Sequence, residues 1–209
     1  MCIITLDPEA TIFLSGKLED DKSADVVSWM LTSYYEQKEE LAAVKDIAKK
    51  SKKAAKKRGE EVEESPVLPL KRPMITLVLN SPGGNYDELV AIYDMMQLLD
   101  ADIRTIVMGS AMSAGALLGI SGTCGQRFIT PTSRLMFHAV SMGIEGKAQD
   151  IKIDYKESER LNKQIAELIK NHSQVTDEEV ERFCDRDIYV LPDEAVKLGM
   201  FDAVITGIQ

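Results

Sequence analysis

Few side chains in this 209-residue chain combine nucleophilic or basic chemistry with a setting that could use it. Ser113 is the first, in Met108-Gly109-Ser110-Ala111-Met112-Ser113-Ala114-Gly115-Ala116-Leu117-Leu118. The apolar, strand-like run Ile103-Arg104-Thr105-Ile106-Val107 precedes it, and an apolar stretch rich in small residues follows. A serine on a tight strand-to-helix join presents its hydroxyl at a helix start. Free N–H groups there favour developing negative charge, and small neighbours let a substrate backbone come close. The same composition also suits a tightly packed helix start with no chemistry.

A serine is a useful nucleophile only when a base takes its proton and a third group orients that base. The chain has two histidines. His138 ends the apolar run Leu135-Met136-Phe137, where a rigid backbone could aim its ring; His172, in Asn171-His172-Ser173, reads as a solvated residue at the polar end of a long helix. Carboxylates are too many for spacing to choose among. Asp187, in Asp185-Arg186-Asp187-Ile188-Tyr189, stands out because the apolar and aromatic pair after it would partly bury it. A buried carboxylate beside imidazole stabilises the imidazolium formed during proton transfer. The alternative is an Asp–Arg ion pair at a helix end or an interface.

The elements that must position these groups are legible from pattern. Met74–Asn80 is almost continuously apolar, as in a parallel strand covered on both faces. The glycine turn Ser81-Pro82-Gly83-Gly84-Asn85 leads into a helix carrying Leu89, Ile92, Tyr93, Met96 and Leu99 at helical spacing. With the strand and turn around Ser113, that makes two consecutive strand–turn–helix units, hence an α/β fold with right-handed crossovers. Upstream, Thr11–Gly16 reads as a short strand, and Ser23 as the N-cap of a helix carrying Val26, Val27, Met30 and Leu31. Downstream come short strands at Arg127–Ile129 and Leu135–His138, separated by Pro131-Thr132-Ser133. A helix over Ala148–Lys170 has an apolar stripe too long for one compact core, which predicts a subunit contact. Thr176 and Glu179 make a capping box; Pro192 and Gly199 bound a last helix, before a strand at Ala203-Val204-Ile205.

Composition narrows the class. A net charge of −9 and a pI near 4.9 argue against nucleic acid and anionic membranes as general partners. No apolar run approaches the roughly 18 residues that span a bilayer, and the start, Met1-Cys2-Ile3-Ile4, lacks the basic opening of a secretory signal. Cys2, Cys124 and Cys184 are odd in number and scattered, which fits reduced thiols rather than a disulfide framework or a metal site. The expectation is a soluble cytoplasmic protein. From Glu36 to Arg72 the composition changes: a basic cluster spans Lys45 to Arg58, acidic Glu60–Glu64 follows, and Ser65–Leu70 looks like an extended linker. Leu41, Val44, Ile47 and Ala48 keep helical spacing, so the helix can continue outward until Gly59. The stretch reads as a solvated helical excursion or a disordered loop, with a docking arm for an acidic partner as the alternative.

Asn80-Ser81-Pro82-Gly83-Gly84, Gly109–Ala116, Met136-Phe137-His138 and Arg186-Asp187 resemble, in order and spacing, the proteolytic subunit of the Clp protease (ClpP). The resemblance covers Met74–Ile205 strongly and Thr11–Tyr35 weakly. It implies a ClpP/crotonase-like spiral of strand–turn–helix units in a single domain over residues 1–209, with the charged insertion at about 36–72 and a protruding handle at about 139–172. It implies a serine endopeptidase in which Ser113 is nucleophile, His138 general base and Asp187 orienting acid, with the backbone N–H groups of Gly84 and Ala114 as oxyanion donors. It implies a homo-oligomer of two stacked heptameric rings joined by the helix from Ala148 and a strand near Ser141–Gly146, with Asp185 and Arg186 at the oligomer contact. Substrates would be peptides or unfolded proteins, and the partner an AAA+ ATPase unfoldase. No cofactor or metal is implied, and no Gly-x-x-x-x-Gly-Lys-Ser/Thr loop is present, so ATP dependence would come from the partner.

Departures qualify that picture. Ala139-Val140 stand where the family has Gln-Pro, Ala114 replaces a methionine, and Thr76 and Val78 occupy positions often held by tyrosines. Only about ten residues precede the first strand, and the insertion replaces a short connection. These weigh against docking of a standard Clp ATPase. A non-catalytic scaffold subunit, a viral-type protease of the same fold and an acyl-CoA enzyme of the crotonase class are the alternatives.

Overall fold

The computed structural model describes residues 2–19, 21–58, 72–143 and 145–208. In chain order the elements are β1 (Ile3–Ile4), β2 (Thr11–Ser15), α1 (Lys22–Arg58), β3 (Met74–Ser81), α2 (Tyr86–Leu98), β4 (Asp102–Met112) and α3 (Ala114–Ile120). Then follow β5 (Arg127–Ile129), β6 (Arg134–Phe137), α4 (Ala148–Asn171), α5 (Asp177–Phe183), β7 (Ile188–Val190), α6 (Pro192–Lys197), β8 (Ala203–Val204) and β9 (Gly207–Ile208). Five consecutive residues of β3, Ile75 to Leu79, are buried, as a parallel strand covered on both faces requires. Ile75, Leu77 and Leu79 join the main core with Met30, Leu89, Leu118 and Phe201. Val78 points to the other face, into a smaller cluster with Ile4, Ile106, Phe128 and Ile205. Beside that cluster β1 pairs in parallel with β9.

Strands β2, β3, β4, β5 and β8 lie side by side in parallel. β4 is the strand on which the site depends, because it changes partner midway. Thr105–Val107 pair with β5, whereas Ser110–Met112 pair with β6. Gly109, at φ +87°, takes the bend between the two halves. The buried Ser133 secures it: its hydroxyl accepts the Gly109 N–H at 3.0 Å and donates to the Val107 carbonyl at 3.1 Å. This corrects the expected strand end at Val107; β4 continues to Met112 because β6 supplies a second edge to pair with.

Other expectations shift for similar reasons. α1 begins at Lys22, and Ser23 is not its cap; the Ser23 N–H instead donates to the Glu88 carboxylate of α2 at 2.6 Å. No strand forms among the described residues of 141–146, since a strand needs a neighbouring edge and this chain offers none there. The capping box of Thr176 and Glu179 and the positive-φ stop at Gly199 are as expected. Residues 59–71, which include the linker reading, lie outside the described residues.

A polar knot joins β5 to the chain's end. The buried Arg127 guanidinium donates to both Asp202 oxygens, at 3.2 and 2.8 Å, and to the His172 carbonyl at 2.6 Å. His172 is therefore not the solvated residue expected: it is half-buried, with Nε2 3.2 Å from the Tyr93 hydroxyl and its ring edge-on to Tyr93. Burial, with Arg127 nearby, pushes the His172 imidazole below its ordinary value. For Asp202, burial alone would raise the carboxyl, but the Arg127 hydrogen bonds outweigh it and hold it low. Both groups thus bind protons more readily in the unfolded chain, and stability falls with acidity. Loss should begin below the ordinary histidine value of about 6.5 and continue below the ordinary carboxylate value of about 4. Denaturant midpoints measured against pH should show both phases, and His172→Gln should remove the first. Asp202→Asn should cost about 3 kcal/mol at neutral pH, because the guanidinium stays buried without its charge partner.

Candidate active site

Ser113 is the N-cap of α3 and holds φ +51°, ψ −123°, a conformation an L-residue adopts only under constraint, at a cost of order 1–3 kcal/mol. Its N–H donates to the Met136 carbonyl of β6 at 2.7 Å, and its carbonyl accepts from Ala116 and Leu117 at 3.0 and 3.1 Å. Sheet and helix therefore grip the residue from both sides. The hydroxyl makes no capping bond to its own helix, so it is left facing the cleft. A strained strand-to-helix turn is also how the α/β-hydrolase enzymes present an exposed nucleophile.

His138 follows β6 directly. Its partner is set by register: Leu135 lies opposite Val190, Met136 opposite Tyr189 and Phe137 opposite Ile188. One step further along this antiparallel ladder, His138 falls opposite Asp187. Residues opposite each other carry their side chains on one face within contact range, and His138 Nδ1 lies 3.9 Å from Asp187 Oδ1. That is ion-pair range but beyond a hydrogen bond. The Asp187 side chain is 65% exposed and that of His138 25%. The partial burial expected of Asp187 is thus not found, because Tyr189 beside it is exposed as well. Asp185 and Arg186, both exposed, lie 3.6 Å apart and pair with each other.

The glycine turn packs directly against the serine. Gly83 is at φ +91°, and a Cβ there would lie 2.6 Å from the Met112 carbonyl oxygen and 2.9 Å from Ser113 Cβ. Leu18 forms an isolated parallel bridge with Gly84, donating to the Gly83 carbonyl at 2.8 Å and accepting from Asn85 N–H at 2.7 Å. In a parallel bridge the bonded groups flank the pivot, so the Gly84 N–H faces away from Leu18. Ala114 is the first residue of α3, whose opening N–H groups have no partner within the helix. Ser81, fully buried, ties the turn down: its hydroxyl donates to the Gly16 carbonyl at 2.6 Å and accepts from Gly83 N–H at 3.1 Å.

One cavity of about 450 Å³ collects these groups. Gly84, Ser113, Ala114 and His138 line it, with an apolar wall from Leu117, Leu161, Ile165 and Met142. Asp187 stands behind His138, outside the lining. Sequence reading took Ser81 only as part of the glycine turn and missed its tether to Gly16, 65 residues away, and the Leu18 bridge. It also missed Tyr86, which lines the cavity and donates to Gln164 of α4 at 3.0 Å.

A mostly parallel sheet that delivers a strained serine to a helix start beside a glycine turn defines an α/β protein of the strand–turn–helix spiral type. The family model for the Clp protease matches residues 69–207. The chain belongs to the Clp protease family and has the ClpP fold. At the family level it is a ClpP-type peptidase, a hydrolase, and members of the family typically form oligomeric rings. No helix among the described residues is long and apolar enough to cross a membrane.

Proposed function

We propose that this protein is a serine endopeptidase in which Ser113, His138 and Asp187 form the catalytic triad. The observation that carries this reading is register: β4, β6 and β7 bring a serine, a histidine and an aspartate from three separate segments to one corner of the sheet. His138 takes the Ser113 proton as Oγ attacks the scissile carbonyl. The oxyanion that develops is met by the N–H groups of Gly84 and Ala114. His138 then hands its proton to the leaving amine, and water, activated by the same imidazole, releases the acyl group from Ser113. Leu117, Leu161 and Ile165 offer an apolar side chain of the peptide a dry surface.

The exposure of Asp187 fits a site completed on assembly. The reading therefore includes a cytoplasmic homo-oligomer of stacked heptameric rings in a single-domain subunit, with a handle over about 139–172. The exposed Ile151, Ile153 and Tyr155 of α4 support it. At the ring contact, Asp185 and Arg186 exchange their mutual pair for partners on a neighbour, and Asp187 becomes covered. An AAA+ unfoldase would supply substrates to the chamber.

A fluorophosphonate probe tests the chemistry, since it phosphonylates only an activated serine. The expected result is one adduct per chain on the peptide containing Ser113. The rate should fall about 10²- to 10⁴-fold in His138→Gln, which has no general base. Labelling at another serine, or an unchanged rate in His138→Gln, would overturn the assignment.

A further inference from the structure

The family match opens at residue 69 and leaves α1 unexplained. This helix packs on the body through Val26, Met30 and Tyr34. Gln37 ties it to β3: its side-chain amide bonds both the N–H and the carbonyl of Met74, at 2.8 and 3.0 Å. Beyond Gln37 the helix runs to Arg58, another 30 Å or so at 1.5 Å per residue. Val44 and Ile47 are exposed along it, and Leu41 and Ala48 half-buried. Lys45, Lys49, Lys52 and Lys56 follow at helical spacing and share one face beside that apolar stripe.

The charge on this segment is out of proportion to the rest. Lys45–Arg58 holds eight basic residues and one acid, a net +7 in a chain of −9, which leaves −16 elsewhere. Among the described residues Lys50 pairs with Asp46, while Lys45, Lys49, Lys52 and Lys56 have no ion-pair partner. The root of the same helix is the opposite. Asp7, Glu9, Glu36 and Glu40 line a cleft of about 460 Å³ with Ser33 and Gln37, and no basic side chain is in its lining. Acid at the root and base at the tip cannot meet within one chain, because a straight helix holds Glu40 and Lys56 some 24 Å apart, by the same rise. A second copy brings them together. A root-to-tip contact uses two different surfaces, and such heterologous contacts generate rings when the rotation closes.

We propose that the outer half of α1 is an arm that lies across the neighbouring subunit, with Lys49, Lys52 and Lys56 seated at that neighbour's acidic cleft and the Leu41–Val44–Ile47 stripe against its surface. The proposal rests on the ring assembly, not on the peptidase chemistry.

Charge reversal tests it on the full chain. The arm variant is Lys49→Glu, Lys52→Glu, Lys56→Glu; the root variant is Glu9→Lys, Glu36→Lys, Glu40→Lys; the third carries both sets. Circular dichroism checks that each is folded, and native mass is followed across concentration and salt. The expected result is a dissociation constant raised at least about tenfold in the first two and restored in the third, whose reversed charges again match. An unchanged mass in the first two, or a third as weak as they are, overturns the arm. So does wild-type cosedimentation with phosphatidylserine vesicles that the arm variant alone loses while its assembly is intact, which would make the arm a membrane contact. A wild type that is monomeric throughout would defeat the ring reading itself, a different outcome from a ring indifferent to the arm.

Discussion

Ser113→Ala should leave an assembled protein whose peptide hydrolysis is lower by about 10⁴-fold or more. The size follows from the chemistry: without Oγ no acyl-enzyme forms, and only binding and oxyanion donors remain to assist water. The fold should be spared. The constraints on the residue are its N–H to Met136 and its carbonyl to the first turn of α3, both backbone bonds, and alanine bears the positive φ no worse than serine. The measurement pairs a fluorogenic peptide assay with native mass and thermal unfolding. Activity within about tenfold of wild type would remove Ser113 from the reaction. Lost activity with lost assembly would instead make the residue structural, against the expectation from a hydroxyl that makes no capping bond in α3.

Gly83→Ala should be nearly as damaging, although it deletes no reactive group. At φ +91° an L-residue is strained, and the new Cβ would press on the Met112 carbonyl and on Ser113 Cβ. Neither can move freely: Met112 is paired to β6, and Ser113 is held by Met136. The relief available is displacement of the turn, which takes the Gly84 N–H out of line with the cleft. Loss of one oxyanion donor costs about 10²- to 10³-fold in kcat, and the strain should lower stability by about 1–2 kcal/mol or more. KM should change much less than kcat, because a donor aimed at the transition state contributes little to ground-state binding. Full activity in a stable Gly83→Ala protein would show that the turn does not position the site.

The backbone plan was readable where burial enforces a period. β3 is apolar on both faces because it lies inside the sheet, and α2 and α4 show helical spacing because each buries one side. The same signal fails for β1, β7 and β9, which are two or three residues long and too short to hold a period. It fails differently for β4, whose sequence looks finished at Val107. Nothing local tells that β6 will pair with Ser110–Met112 and carry the strand to the serine.

Residue types alone determined that Ser113 and His138 were the groups to watch: a serine among glycines and alanines, and one of only two histidines. Even Asp187 was singled out, though for a burial that the subunit does not provide. Tertiary structure decided how these groups stand to one another. The β6–β7 register put Asp187 opposite His138, Gly16 and Leu18 pinned the glycine turn from 65 residues away, and β6 gripped the serine in its strained conformation. Type, period and charge are properties of neighbours in sequence. Distance between side chains from different segments is set by which edges pair, and pairing is a long-range competition that no single segment encodes.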